Sequence, residues 1–366
     1  MTRPKFRRTL RLETLESREL LTAGGPSAEA QYMLELINLA RTNPAAAAQE
    51  VTSNLSSDVQ ATLKYYNVDL NQAKQEIASS ALRPPVAWSD TLAATATGQS
   101  QYQADNAVQT HIGANGSALN QRLDSAGYTN RASDGENAYA YSQSVGHAME
   151  AFLIDWGVAS KGHRNNLLQP TATADQFYRE VGIGIVNTNK PGFGPKVITQ
   201  DFARQNGSKA DLLGVAFNSN AGDGQYHQGE GQGNVEIDAT NLATGQTKST
   251  LTWDNGGGYQ IPLDPGSYSV SAKVGNQVVR TQQVTIQDQN VKVDYNLSQA
   301  WQGSAAAPVS ISASSVSARQ TTAPAPAPAP TPIVVAAVQP TVTSTPASVG
   351  SSWGASWTSW TAVKDV

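Results

Sequence analysis

The spacing of apolar residues changes along this chain, and that change constrains the fold more than any other feature. Met33, Leu36, Ile37 and Ala40 recur at i, i+3, i+4 and i+7, the buried stripe of a helix. Val145, Ala148, Met149, Phe152, Leu153 and Trp156 form a second stripe, predicting a helix from Ser144 to Trp156. Asn43-Pro44 reads as a cap followed by proline at a first helical position. Ser89-Asp90 precedes another helix carrying Leu92, Ala93, Ala96 and Gln99, and the polar stretch 53–83 reads as helical in part. Beyond Val181 the period becomes two: Val181, Ile183 and Ile185 alternate with small residues, and Val197 to Phe202 supplies a second strand. Helices followed by strands predict an α+β unit over residues 29–205.

From 212 to 298 the runs are short and alternating: Val235–Ala239, Thr250–Trp253, Tyr268–Ala272 and Val291–Tyr295. Turn residues separate them, which predicts a small all-β antiparallel sandwich. Residues 302–350 are rich in Pro, Ala, Ser and Thr and read as a disordered linker. The segment 351–366 carries Trp353, Trp357 and Trp360, spaced so that one side of a short helix could present them.

There is no cysteine in the 366 residues, so both units must stand on their cores without disulfides or thiolate metal sites. A net charge of -4 is too mild to imply a nucleic-acid partner. No run of about 18 apolar residues predicts a transmembrane helix. The basic first 28 residues lack the apolar stretch of an ordinary signal peptide. Their Leu12-Glu13-Thr14-Leu15-Glu16-Ser17-Arg18-Glu19-Leu20-Leu21 resembles the sorting motif at the N-termini of many bacterial surface and secreted proteins, which predicts export.

Three stretches concentrate the chemistry: Thr110-His111-Ile112-Gly113 with Gln121-Arg122-Leu123 after it, Gly135-Glu136-Asn137-Ala138, and Ser160-Lys161-Gly162-His163-Arg164-Asn165-Asn166-Leu167-Leu168. With Leu36-Ile37-Asn38-Leu39-Ala40-Arg41 they resemble, in order and spacing, the bacterial branch of the CAP superfamily, which includes the cysteine-rich secretory and pathogenesis-related 1 proteins. The resemblance implies an α-β-α sandwich with a cleft where loops carrying the histidines and acids converge. It also implies a second acid on the helix before the third motif, usually Glu. Helical phase favours Asp155, which flanks the buried stripe, over Glu150, and predicts a solvent-exposed His147. The candidate tetrad is thus His111, Glu136, Asp155 and His163, with Asn137, Ser160, Arg164 and Asn166 supporting it.

Imidazoles and a carboxylate beside glycines can be brought close together. His111, Glu136 and His163 could ligate Zn²⁺ or a similar ion and support metal-assisted hydrolysis. The same groups could instead pair with one another and with their loops, as buried polar groups must. Ser160, three residues before His163, is too little to argue a catalytic triad.

Residues 219–230 have the length of a calcium loop, with Asp223 and Glu230 among its acids, and resemble loops that begin many bacterial surface modules. Ala221 stands where an oxygen ligand is needed, so Ca²⁺ is not expected. Gly258 to Val270 resembles carboxypeptidase regulatory-like and related Ig-like modules, implying a spacer or adhesion role. The sequence therefore predicts a secreted or cell-surface protein binding a small apolar ligand, a peptide or a macromolecule in the cleft, with no required cofactor. A metal-dependent peptidase and a structural surface scaffold are the alternatives.

Overall fold

The structure is a computed structural model and describes residues 25–298. Most of the expected sorting segment, the Pro/Ala-rich linker and the tryptophan-bearing end lie outside the described residues. Four helices come first among the described residues: α1 (Ala28–Thr42), α2 (Pro44–Thr52), α3 (Ser57–Tyr65) and α4 (Leu70–Ala78). The short strand β1 (Ala87–Trp88) leads into α5 (Asp90–Asn106), then α6 (Leu119–Ser125), β2 (Arg131–Ser142), α7 (Val145–Ile154), α8 (Gly162–Leu168), β3 (Glu180–Asn187) and β4 (Lys196–Gln205). The caps expected from sequence form: Asn43 Oδ1 accepts the Ala46 amide at 3.2 Å, and Ser89 Oγ accepts that of Leu92 at 3.5 Å.

The strands form one sheet in the order β1-β3-β4-β2. Helix α5 packs on β3 and β4, while α1, α7 and α8 pack on one another and on β3 or β2, so the layering is α-β-α. The α5 contact is close enough to require glycine. A Cβ on Gly182 would lie 1.9 Å from the Ala93 nitrogen. The stripes of α1 and α7 meet in a single core with Val181, Ile183, Ile198 and Phe202. Burying each such side chain stabilises the fold by about 1.5–3 kcal/mol.

Arg41, at the end of the α1 stripe, is fully buried and ties this core to the site. It donates to Pro84 O at 2.8 Å, Leu167 O at 2.9 Å and Gln169 Oε1 at 3.2 Å. Burial lowers its pKa to about 9. The guanidinium thereby fixes the C-terminal end of α8, whose first turn carries His163.

The second half contains β5 (Ala210–Phe217), β6 (Glu236–Asn241), β7 (Thr247–Leu251), β8 (Gly258–Leu263), β9 (Gly266–Val274), β10 (Gln277–Ile286), β11 (Val291–Lys292) and β12 (Tyr295–Asn296). One sheet runs β10-β9-β6-β7; in the other, β5 pairs with β8, β11 and β12. Leu212, Ile237, Ile261, Val270 and Ile286 share a single core between them. Two expectations need correction. Strand 291–295 is split into β11 and β12, and both pair with β5 in parallel rather than antiparallel fashion. The run expected to reach Trp253 ends at Leu251, and Trp253 instead packs against the helical core.

The two halves form one compact unit. Gln260 of β8 extends the backbone of β1, accepting from Trp88 N at 3.0 Å and donating to Trp88 O at 3.1 Å. Asn290 donates to Pro85 O and Arg179 O at 3.1 and 2.8 Å. Lys292 reaches Glu35 of α1 at 2.7 Å.

Candidate functional site

His111 lies on the loop between α5 and α6, held from both sides. Gln99 Nε2 donates to Thr110 O at 2.7 Å, and the Thr110 amide donates to Gln103 Oε1 at 3.2 Å. Arg122, one turn into α6, donates through one terminal nitrogen to His111 O and Ser117 O, each at 3.0 Å. Its other terminal nitrogen donates to Glu136 Oε2. The remaining Glu136 oxygen meets His111 Nδ1 at 2.7 Å.

Glu136 was expected on a loop, but it lies in the middle of β2 with its side chain buried. Gly135 belongs to the strand because of packing: a Cβ there would sit 2.4 Å from the Tyr178 hydroxyl. The glycine beside Glu136 is a close-approach position within a strand rather than on a loop.

Asp155 was chosen by helical phase, yet it sits one residue past α7, as its C-cap, with φ 58°. A left-handed aspartate costs roughly 1–2 kcal/mol relative to ordinary backbone. Its carboxylate is fully buried, meets His163 Nδ1 at 2.8 Å and accepts the Arg164 amide at 3.1 Å. It thereby places negative charge at the first turn of α8, where the amides have no intrahelical partners.

Asn137 and Asn166 connect the two pairs. Asn137 Nδ2 donates to His163 O at 3.2 Å and to Gln200 Oε1 at 3.0 Å. Asn166 Nδ2 donates to Asn137 Oδ1 at 2.9 Å and to Glu136 O at 3.0 Å. Arg164 donates to Leu153 O, Ile154 O and Glu76 at 2.6–2.8 Å, closing the end of α7 rather than reaching His163. Ser160 contributes its carbonyl, to Asn165 Nδ2, at 3.0 Å.

His147 is half-buried rather than exposed. It stacks on Trp156 with centroids 5.9 Å apart and meets the Tyr139 ring edge-on. Its Nδ1 accepts the Gln143 amide at 2.9 Å, and burial lowers its pKa. The polar face of α7 is covered by Tyr139 of β2, a tertiary contact that helical phase does not include.

In both pairs a carboxylate takes Nδ1, which favours the proton on that nitrogen and leaves Nε2 with no hydrogen-bond partner among the described residues. His111 is 58% exposed and His163 is 16% exposed. No hydroxyl is hydrogen-bonded to either ring among the described residues, so no nucleophile–base pair is formed.

The donor set does not fit a resident zinc ion. Glu136 has one oxygen on His111 and the other on a guanidinium. That leaves two imidazole nitrogens where zinc sites use at least three protein ligands. Among the described residues no three His, Cys, Asp or Glu side chains are grouped to hold a metal. The calcium-like loop also uses its acids internally. Glu230 accepts the amides of Asn220, Ala221 and His227 at 2.7, 3.2 and 2.8 Å. Asp223 pairs with His227 Nε2 at 2.8 Å.

Sequence reasoning missed Arg122, Gln200 and Asp201 as site residues. Arg122 stood within a quoted motif; the other two lie in the strand run after Val197, and only the β2–β4 register brings them to Asn137 and Glu136.

No helix among the described residues is long and apolar enough to cross a membrane. A search of curated proteins gives no match. Several solved structures resemble the chain, two of them as follows. An extracellular protein containing an SCP domain from Bacillus anthracis str. Ames is 23% identical with a TM-score of 0.27, over 42% of this chain and 45% of that one. This chain therefore matches less than half of the Bacillus protein. BmVAL-1 is 18% identical with a TM-score of 0.24, over 50% of this chain and 79% of that one. Both histidine–carboxylate pairs and the asparagines between them fall within residues 34–202, and it is this segment that matches the model of the CAP family, the cysteine-rich secretory protein family.

Proposed function

We propose that this is a secreted or cell-surface CAP-domain protein whose cleft binds a peptide-like ligand through His111 and His163. The observation that supports this reading is the pair of imidazoles whose Nδ1 is taken by a carboxylate and whose Nε2 has no hydrogen-bond partner among the described residues. Two such acceptors, with exposed Ile112 beside one of them, suit the amide donors and apolar groups of a peptide better than a purely apolar ligand. Binding is favoured over turnover because no hydroxyl is hydrogen-bonded to either histidine among the described residues. The sorting-motif resemblance supports export. The paired sheets are read as an Ig-like spacer.

The test is selection from a displayed random-peptide library against the immobilised full chain. Selected peptides should lose at least about tenfold in affinity, 1.4 kcal/mol, on His111→Ala plus His163→Ala. Equal affinity for the double variant would refute the reading.

A further inference from the structure

A second carboxyl group lies directly behind the His111–Glu136 pair. Asp201 of β4 is the cross-strand partner of Glu136 of β2, so the two side chains leave the same face of the sheet side by side. Asp201 is fully buried. Its Oδ2 accepts the Thr95 hydroxyl at 2.8 Å, and its Oδ1 is reached by no donor among the described residues.

The groups facing Asp201 are few. Helix α5 supplies Thr95, α6 supplies Arg122 and β2 supplies Glu136; its neighbour on β3 is Gly182, which carries no charge. Arg122 is hydrogen-bonded to Glu136 and not to Asp201, so one guanidinium stands beside two carboxyl groups and neutralises one. Two buried carboxyl groups at directly paired positions on neighbouring strands disfavour joint ionisation beside a single cation. The oxygens of Glu136 already receive His111 Nδ1–H and Arg122, which stabilises Glu136 as the charged partner. Burial and the Glu136 charge both push the pKa of Asp201 well up.

We infer that Asp201 is a neutral carboxylic acid that donates a hydrogen bond from Oδ1 to Glu136, making it a positioning residue for His111. Nothing is transferred: the proton stays on Asp201, the charge stays on Glu136, and His111 keeps its Nδ1–H toward the carboxylate. An orphaned buried oxygen thereby gains a role, because the atom lacking a donor is itself the donor. The inference deepens the proposed use of the cleft and rests on that reading only for the importance of His111.

The test is a carboxyl-carbon and imidazole-nitrogen NMR titration of the full chain, wild type against Asp201→Asn and Asp201→Ala. The Asp201 carboxyl carbon should remain in its protonated position well above the ordinary aspartate value of about 4. Asn carries an N–H where the acid carries O–H, so D201N should keep the His111 tautomer and move its midpoint by under about 0.3 pH units. D201A leaves Glu136 a donor short and should raise that midpoint by about one unit. Ionisation of Asp201 near pH 4 would overturn the inference, as would a fall of about one unit in the His111 midpoint in D201N, the response to losing a real negative charge. If D201A does not fold, the wild-type carboxyl titration and D201N decide the matter. No readout involves ligand, so peptide binding that survives loss of both histidines would sink the proposed function and leave this inference standing.

Discussion

Asp155 holds His163 at 2.8 Å from a left-handed backbone position, φ 58°, that a glycine would occupy more easily. The residue is kept there by what its carboxylate does: it orients the imidazole and accepts the first amide beyond it in α8. Asp155→Ala loses both bonds and keeps the unfavourable backbone, so it should destabilise the protein by about 2–3 kcal/mol. Asp155→Gly loses the same bonds but relieves the backbone, and should be about 1 kcal/mol milder. Urea denaturation of the two variants checks the order; equal losses would show that the left-handed position carries no strain.

Glu35 and Lys292 join the helical half to the strand half at 2.7 Å, with Glu35 buried and Lys292 partly buried. Gln31 adds a second donor to Glu35 at 2.9 Å. Lys292→Met leaves a buried carboxylate unpaired and should cost about 3 kcal/mol at pH 7. The cost should shrink as the pH falls and Glu35 takes up a proton, which removes the uncompensated charge. A double-mutant cycle with Glu35→Gln should recover part of the loss; fully additive losses would mean that the pair does not couple the halves.

Asp201 makes stability pH-dependent in a definite direction. Its pKa in the folded protein is raised above the ordinary 3.8. A raised folded value means that its contribution is fully present below that ordinary value and is lost as the pH rises toward the folded one. Asp201→Asn removes the titration, so the variant should melt higher than wild type at pH 7. The advantage should disappear as the pH approaches 4. Thermal melts across that range test it, and a variant less stable than wild type at pH 7 would contradict the sign.

Much of this was legible from local pattern. The α1 and α7 stripes are written in their apolar spacing, and Asn43 and Ser89 announce helix starts because caps are local chemistry. His111, Glu136 and His163 stood out because each adjoins or lies near a glycine in a motif. What pattern could not supply was register and close approach. Asp201 reads as one more polar residue in an alternating strand until β4 is laid against β2. Gly135 marks a close approach, but that Tyr178 is what approaches emerges only from the fold, and His147 looks exposed until Trp156 and Tyr139 close over it. Asp155 was selected for a phase it does not have, since the helix ends one residue earlier. The interlock of the two halves is likewise invisible in composition, because Gln260 and Asn290 act through backbone groups far away in the chain.

The central claim is that two separate histidine–carboxylate pairs act as one binding surface, coupled through Asn137 and Asn166. The most direct measurement follows the imidazole nitrogens of His111 and His163 while a library-selected peptide is added to the full chain. Both Nε2 resonances should shift together and saturate with a single dissociation constant, while both Nδ1 atoms keep their protons. Movement of one ring alone, or two unrelated constants, would contradict it.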